Sequence, residues 1–359
     1  MNGARSIVAN ALRPSFSAPA IPTVAARGLR TRTYRFPRWK PGRPKPVYPR
    51  VIESMPFQTF QFAREIIAKD SLEKAKAIEA QKERIMKARK EEKPNQHKIK
   101  EMEDHLEYLE VQAEINNPRV KYSFDRGIID MEKPVYRFLA DRKWREYRRP
   151  ILMQRLTQMN VMPDLLPKIE PEVDVQLRFK GKEIHPGDFV ASFSSENKPT
   201  LKVISFKPQK MLCTVAVVDL DVPNVEKDRF DYRLHWLVSN IPLSHTQTQA
   251  FGTGAKPSDQ IVQWLPPHVQ KGSPYHRYAL VLLKQEDRLD AKALKESNIK
   301  RDGFVLRSFQ AKNKLSPIGA FMFRGQWDTY TKELMQQHNL PGWDQQFVRI
   351  NENKKEKTK

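Results

Sequence analysis

Beyond Pro163 the chain breaks into short apolar or alternating runs, and this texture limits the fold more than any other feature of the sequence. The runs at 173–179, 188–193, 201–206, 212–218, 235–241 and 278–283 are set apart by Gly181, Pro186-Gly187, Lys198-Pro199 and Pro223-Asn224. Segments this short, bounded by residues that interrupt regular backbone hydrogen bonding, predict strands. Helices are expected to flank them at 291–297, 303–309 and 328–338. The longest unbroken apolar stretches, around 211–218 and 279–283, fall far short of the ~20 residues a membrane-spanning helix needs, so a soluble protein is expected. The single cysteine, Cys213, excludes an internal disulfide framework and a four-cysteine metal site. Its apolar surroundings predict a buried structural thiol.

The chain before Pro163 has a different texture. From 59 to 93 there is neither Pro nor Gly, and Ala, Glu, Lys, Ile and Met dominate, which predicts a long helix. Its apolar positions, among them Phe62, Ile66, Ile67, Ala75, Ile78, Ile85 and Met86, make an incomplete stripe, so it is expected to be mostly solvated or to lie across a partner. A second helix is expected at 97–116, with Met102, Leu106, Leu109 and Ile115 inward and Asn116-Asn117-Pro118 as its stop; the two helices can pair as a hairpin. A third helical stretch, 134–160, gathers Arg142, Lys143, Arg145, Arg148 and Arg149 around Trp144 and Tyr147. Such a surface is either a solvated face or a phosphate contact.

The formal charge of +22 arises from 64 basic and 42 acidic residues, and a surplus of this size favours a polyanionic partner. Eleven of the basic residues lie in 1–52, where there is no acid; the first acid is Glu53. Residues 1–30, with Arg5, Arg13, Arg27 and Arg30 among Ala and Ser, have the composition of a mitochondrial transit peptide. The expected location is therefore the mitochondrial matrix. In the arm that follows, 31–58, five prolines between residues 31 and 50 remove N–H donors and hold φ, so that segment must run extended. Its cations Arg32, Arg35, Arg38, Lys40, Arg43, Lys45 and Arg50 alternate with rings that include Trp39. Cations neutralise phosphates while rings stack on unpaired bases, so these residues are candidate RNA contacts, as are the basic residues of 142–149. The expected organisation is transit peptide 1–30, arm 31–58, helical extension 59–162, β-rich domain 163–347 and Lys-rich tail 348–359.

Catalytic signatures are missing from the sequence. The segment 251–258, FGTGAKPS, lacks the spacing of a phosphate loop and reads as a surface turn. No H-E-x-x-H motif, paired Cys/His spacing or G-x-S-x-G elbow occurs. No enzymatic activity, cofactor or metal is expected.

Four segments carry a family resemblance: 213–224, CTVAVVDLDVPN; 235–241, HWLVSNI; His276-Arg277-Tyr278 with the apolar run after it; and 319–328, GAFMFRGQWD, with Tyr330. In this order they resemble the strand and D-P-D-x-P turn, the following strand, the H-R-Y strand and the A-Q-W-D-x-Y segment of the phosphatidylethanolamine-binding proteins. The resemblance implies an α+β fold, a two-sheet β-sandwich with peripheral helices, here preceded by the basic arm and the long helices. It also implies an anion pocket at one end of the sandwich, placed on Asp219, Asp221, His235, His276 and Tyr278. This chain departs from the pattern at Leu220, between the aspartates, and at Pro266 and Pro274 in the loop 264–275, where the family has glycine. Proline lacks the N–H and the positive φ that a backbone anion cradle uses. The five residues are therefore expected to form a buried polar network, a vestige of the pocket, with retained anion binding as the competing expectation.

The domain joined to an import-type leader and a basic helical extension resembles, in particular, the mitochondrial large-subunit ribosomal protein of this family. That implies a structural role, with mitochondrial ribosomal RNA and other large-subunit proteins as partners rather than a second copy of the chain. The competing class is a phospholipid- or anion-binding module that inhibits kinases or proteases.

Overall fold

The computed structural model describes residues 57–91, 95–246 and 259–348. The expected import leader, the arm with its candidate RNA contacts Arg32 to Arg50, the turn expected at 251–258 and the tail from 349 lie outside the described residues.

Two antiparallel helices open the described chain, α1 (Gln58–Arg89) and α2 (Gln96–Glu114). Asn95 starts α2 by accepting hydrogen bonds from the backbone N–H groups of His97 and Lys98. Lys82 pairs with Glu110 at 3.1 Å, and Gln81 Nε2 donates to Met102 O at 3.1 Å. At 19 residues against 32, α2 is too short to cover α1, since each residue adds about 1.5 Å. Of the apolar stripe expected on α1, Ile85 is buried while Phe62, Ile66 and Met86 are exposed. On α2 the fully buried positions are Ile99 and Val111, and the expected Met102, Leu106, Leu109 and Ile115 are half-buried. The Asn-Asn-Pro segment does more than stop α2: Asn117 accepts from Arg119 N and Pro118 opens α3 (Pro118–Asp125), which was not expected.

The stretch expected at 134–160 is α4 (Pro134–Lys143), a π-helical turn (Trp144–Arg148) and α5 (Arg149–Gln158). Pro150 cannot donate to the preceding turn, so the ladder widens there and Arg149 N–H reaches back to Trp144 O. A short turn of helix, α6 (Val161–Asp164), leads into the sheets.

The first sheet has the antiparallel order β2 (Lys182–Ile184), β1 (Asp174–Phe179), β3 (Thr200–Ile204). The second has the antiparallel order β6 (Gln260–Val262), β5 (Arg229–Leu243), β4 (Met211–Asn224), β7 (His276–Gln285), β8 (Leu315–Gly325). Side chains alternate across its central strands. Val215, Val217, Leu280, Leu282, Phe321 and Phe323 join Val175, Leu177, Leu201 and Val203 in a core between the sheets. Ala216, Val218, Val281, Leu283 and Met322 face the other way, into a second core closed by Leu152 and Leu156 of α5 and by Leu306 and Phe309 of α9 (Leu306–Lys312). Burial on both faces explains why these strands read as unbroken apolar runs. It also places α5, expected in the helical extension, in the core of the β-rich domain. Cys213 is buried and free, and burial pushes its thiol up to about 12.

Two expectations need correction. The alternation at 188–193 does not form a strand: Phe189 makes an isolated bridge to Arg324, and Ser192–Ser195 is a helical turn, α7. Pro223-Asn224 does not break β4, which runs through Asn224. The remaining helices are α8 (Ala291–Glu296) and α10 (Thr329–Gln337), the latter started by a capping box between Asp328 and Thr331.

Candidate functional site

All five residues of the expected anion pocket meet at one end of the sandwich. Asp219 lies near the end of the buried part of β4, opposite Tyr278 of β7; His276 begins β7 and His235 lies on β5. Asp219, His235, His276 and Tyr278 are each no more than 1% exposed. Their neighbours account for the closure. The Tyr278 ring stacks on Phe323 at 5.2 Å, and a Cβ on Gly325 would come within 2.8 Å of that ring, so only glycine lets β8 lie so close.

All but one of the ring nitrogens and the phenol O–H are bound within the chain. His276 Nδ1–H donates to Asp219 Oδ2 at 2.8 Å, and its Nε2 lies 3.1 Å from Ser273 Oγ. Tyr278 O–H donates to His268 O at 3.0 Å. His235 Nδ1–H donates to Leu265 O at 2.9 Å. Burial alone would raise the Asp219 carboxyl, but His276, His235 and the Asp221 N–H outweigh it and hold Asp219 below the usual carboxylate range. Burial pushes His235 down to about 3, so its imidazole is neutral. With Nδ1 carrying the proton, His235 Nε2 is a lone pair, buried without a partner and 3.9 Å from the Asp219 carboxylate. That polarity does not suit an anion.

Asp221 is used differently from its expected place in the pocket. It accepts from Arg277 N–H and Nε–H at 2.8 Å each and from Arg277 Nη2 at 2.6 Å. The same guanidinium donates through Nη1 to Met159 O at 2.7 Å and Asp164 Oδ2 at 2.9 Å. Arg277 thus ties the pocket strands to the ends of α5 and α6, and the Asp221 and Asp164 carboxylates hold it firmly protonated. His268 is a second residue the sequence did not single out. Its Nδ1–H donates to Pro266 O at 2.9 Å, Arg233 Nη1 donates to its Nε2 at 3.0 Å, and burial pushes it down to about 4. Arg277 was visible inside the H-R-Y motif and His268 inside the proline-substituted loop; their partners were not.

The loop 264–275 packs in turn against the segment 342–348. Phe347 N–H donates to Lys271 O at 2.8 Å, and Gly272, at φ +83°, leaves its Cβ position 1.9 Å from Phe347 O. Gly272→Ala is expected to expel the segment 342–348 and to destabilise the domain by about 1–3 kcal/mol. Faster proteolytic trimming after residue 340, with a lowered Tm, would check it; an unchanged digestion pattern would count against this contact.

The candidate phosphate contacts of 142–149 are dispersed. Arg142 pairs with Glu146 at 2.8 Å and Arg145 with Asp141 at 2.8 Å, both in exposed i,i+4 pairs that are weak enough to exchange for a phosphate. Lys143 Nζ lies 5.7 Å from the centre of the Phe124 ring. Arg148 reaches Asp174 at 3.6 Å and Glu183 at 3.3 Å, and Arg149 Nε donates to Pro171 O, so these two fasten the helix to the first sheet. Among the described residues no helix is long and apolar enough to cross a membrane, and no group of His, Cys, Asp and Glu is placed to hold a metal.

With this geometry in view, the comparisons with known proteins can be placed. Residues 177–322 match the phosphatidylethanolamine-binding protein family model. The large ribosomal subunit protein mL38 of Schizosaccharomyces pombe is 32% identical over 237 residues, covering 65% of this chain and 75% of that protein. CEN-like protein 1 of Nicotiana tabacum is 28% identical over 180 residues, 50% of this chain and 95% of the relative. A solved phosphatidylethanolamine-binding protein from Plasmodium vivax aligns over 49% of this chain and 97% of its own at 18% identity, with a TM-score of 0.39. The plant relative and the family model stay within about half of the chain, whereas the fission-yeast match runs beyond the domain. The chain belongs to the family of the large ribosomal subunit protein mL38, with a phosphatidylethanolamine-binding protein domain at its centre.

Proposed function

We propose that the chain is a non-catalytic, structural constituent of the large subunit of the mitochondrial ribosome, residing in the matrix. The observation that carries this reading is the 237-residue match to mL38, which takes in chain outside residues 177–322. The site adds support, because its histidines and tyrosine are sealed and bound internally, which suits a scaffold better than a ligand pocket. Ribosomal RNA is the partner for the arm, through Arg32, Arg35, Arg38, Trp39, Lys40, Arg43, Lys45 and Arg50, with Arg142, Lys143 and Arg145 as a secondary contact. Neighbouring large-subunit proteins suit α1, whose first turns leave Phe60, Phe62 and Ile66 exposed. A helix end with no packed face is marginal alone and stable against a partner.

Deleting residues 31–50 removes seven cations. The variant should leave the large-subunit fraction in gradients of mitochondrial lysate, with its largest deficit relative to the parent at low salt, because roughly six to ten phosphate contacts lose about 10³–10⁵ in affinity over a modest rise in salt and the variant lacks them. A full-length chain that sediments apart from the large subunit would overturn the ribosomal reading. A deletion variant that co-migrates unchanged at every salt would overturn the role given to the arm.

A further inference from the structure

One surface of the β-rich domain carries exposed rings with cations set against them. Phe189, Phe193, Tyr275 and Trp343 are 47%, 55%, 43% and 41% exposed. Each has a cation against it. Arg324 Cζ lies 3.9 Å from the Phe189 ring centre and 5.4 Å from that of Tyr275, and these two rings meet edge to face at 5.8 Å. Lys180 Nζ lies 3.1 Å over Phe193, which meets Tyr330 edge to face at 5.3 Å. Lys332 Nζ is 5.4 Å from Trp343, and Lys271 Nζ is 5.4 Å from the half-buried Trp327.

These groups form one patch. Phe189 bridges Arg324, Ser192 Oγ lies 2.8 Å from Thr331 Oγ1, Ser192 N–H donates to Asp328, and Lys271 bridges Gln346. Among the described residues, five of the seven cation–π contacts fall here. Such contacts occur roughly once per 70–80 residues in folded proteins, so this density is high. A stabilising role would bury the rings; here they stay open, and exposed aromatic patches of this kind mark binding surfaces.

We infer that this face is a second RNA contact, on the domain itself, that stacks unpaired bases on Phe189, Phe193, Tyr275 and Trp343 while Lys180, Lys271, Arg324 and Lys332 meet the phosphates. Rings with interspersed cations are what flexible single strands bind, because every base offers a π-face and every linkage a charge. The alternative occupant is a protein. Against it, three of the four cations are lysine, which is depleted at protein interfaces, and the chain as a whole carries +22. Of the nearby acids, Asp328 is occupied in capping α10 and in accepting from Ser192 N–H, the exposed Asp188 accepts from His185 N–H, and Glu196 pairs with Lys180 at 3.8 Å, a part-exposed contact weak enough to exchange for a phosphate. Arg324 is held in place by its Nε–H bond to Gly187 O at 2.7 Å, so its guanidinium is preorganised beside the rings. This inference deepens the ribosomal reading and rests on it for the RNA a cell would present.

The test uses the full chain and a fluorescein-labelled, unstructured oligoribonucleotide. Phe193→Ala and Trp343→Ala remove exposed rings that lie outside the buried cores, and each is expected to weaken binding by about 5- to 150-fold, the loss typical of one stacked base. Lys180→Gln with Lys332→Gln should reduce the salt dependence while leaving the rings in place. The ring substitutions should act equally in the chain lacking 31–50, which separates this face from the arm. A Tm equal to the parent's shows that the variants are folded. Oligonucleotide affinity unchanged by every ring variant overturns the inference. Ring variants that lose their place on the large subunit yet bind the oligonucleotide normally also overturn it, by assigning the face to a protein. If the parent chain fails to join the large subunit while the ring effect on RNA persists, the ribosomal reading falls and the contact stands.

Discussion

Arg277→Met is expected to destabilise the domain by about 3–5 kcal/mol, toward the lower end of that range because the guanidinium is 17% exposed rather than sealed. The substitution removes four side-chain hydrogen bonds at once, keeps the one from the backbone N–H, and leaves the Asp221 carboxylate, 14% exposed, without its counter-charge. An uncompensated buried charge costs more than the bonds themselves are worth. The double variant Arg277→Met with Asp221→Asn should therefore recover part of the loss. Arg277→Lys should fall between, since an ammonium holds the charge but cannot form the fork that reaches Asp221, Asp164 and Met159 together. Denaturant midpoints of the full chain decide the matter. A Met variant within about 0.5 kcal/mol of the parent would show that the latch between the sheet and α5–α6 carries no weight.

Acidification should unfold the domain well above the pH at which carboxylates titrate. His235 and His268 are held neutral by burial, at about 3 and about 4 against the usual 6.5. Below about pH 6.5 the unfolded chain takes up a proton on each, while the folded chain does not until pH 4 to 3. Stability thus falls as the pH drops through this window, by up to about 1.4 kcal/mol per pH unit for each histidine. Asp219, held below its usual range, keeps its contribution across the window and loses it further down, which steepens the fall at the acid end. His268→Gln can keep the bonds to Pro266 O and Arg233 while removing one titrating group, so it should roughly halve the slope. Chemical denaturation at a series of pH values reads this directly. A stability that is level from neutrality to about pH 4.5 would mean that the two imidazoles are charged or solvated in the folded chain.

Much of the sandwich was legible because its strands are buried on both faces. The runs before Asp219 and from Tyr278 onward are apolar at nearly every position, Thr214 excepted, and such runs are visible without knowing their partners. The helices at 97–116 and 328–338 were legible from local composition and apolar spacing, and the caps that start them, Asn95 and Asp328, also act locally, on N–H groups two or three residues away. The strand expected at 188–193 failed because only Val190 of the run enters the core, while Phe189 and Phe193 stay exposed and the backbone turns into α7 at Ser192. α5 was assigned to the extension because a dense basic surface masks the narrow apolar edge, Leu152 and Leu156, that it presents to the sheet.

The sequence by itself determined the positions of most strands and the motifs that carry the family resemblance, because local propensity and motif order are properties of neighbouring residues, and that resemblance in turn implied a grouping of Asp219, Asp221, His235, His276 and Tyr278. The tertiary structure alone decided what those groups do. Asp221 is consumed by an arginine that also holds residues 113 and 118 positions away along the chain, and the loop beside the buried histidines meets the segment 342–348 at Gly272. Charge pairing and burial depend on distance in space, which the topology sets and which spacing along the chain does not encode.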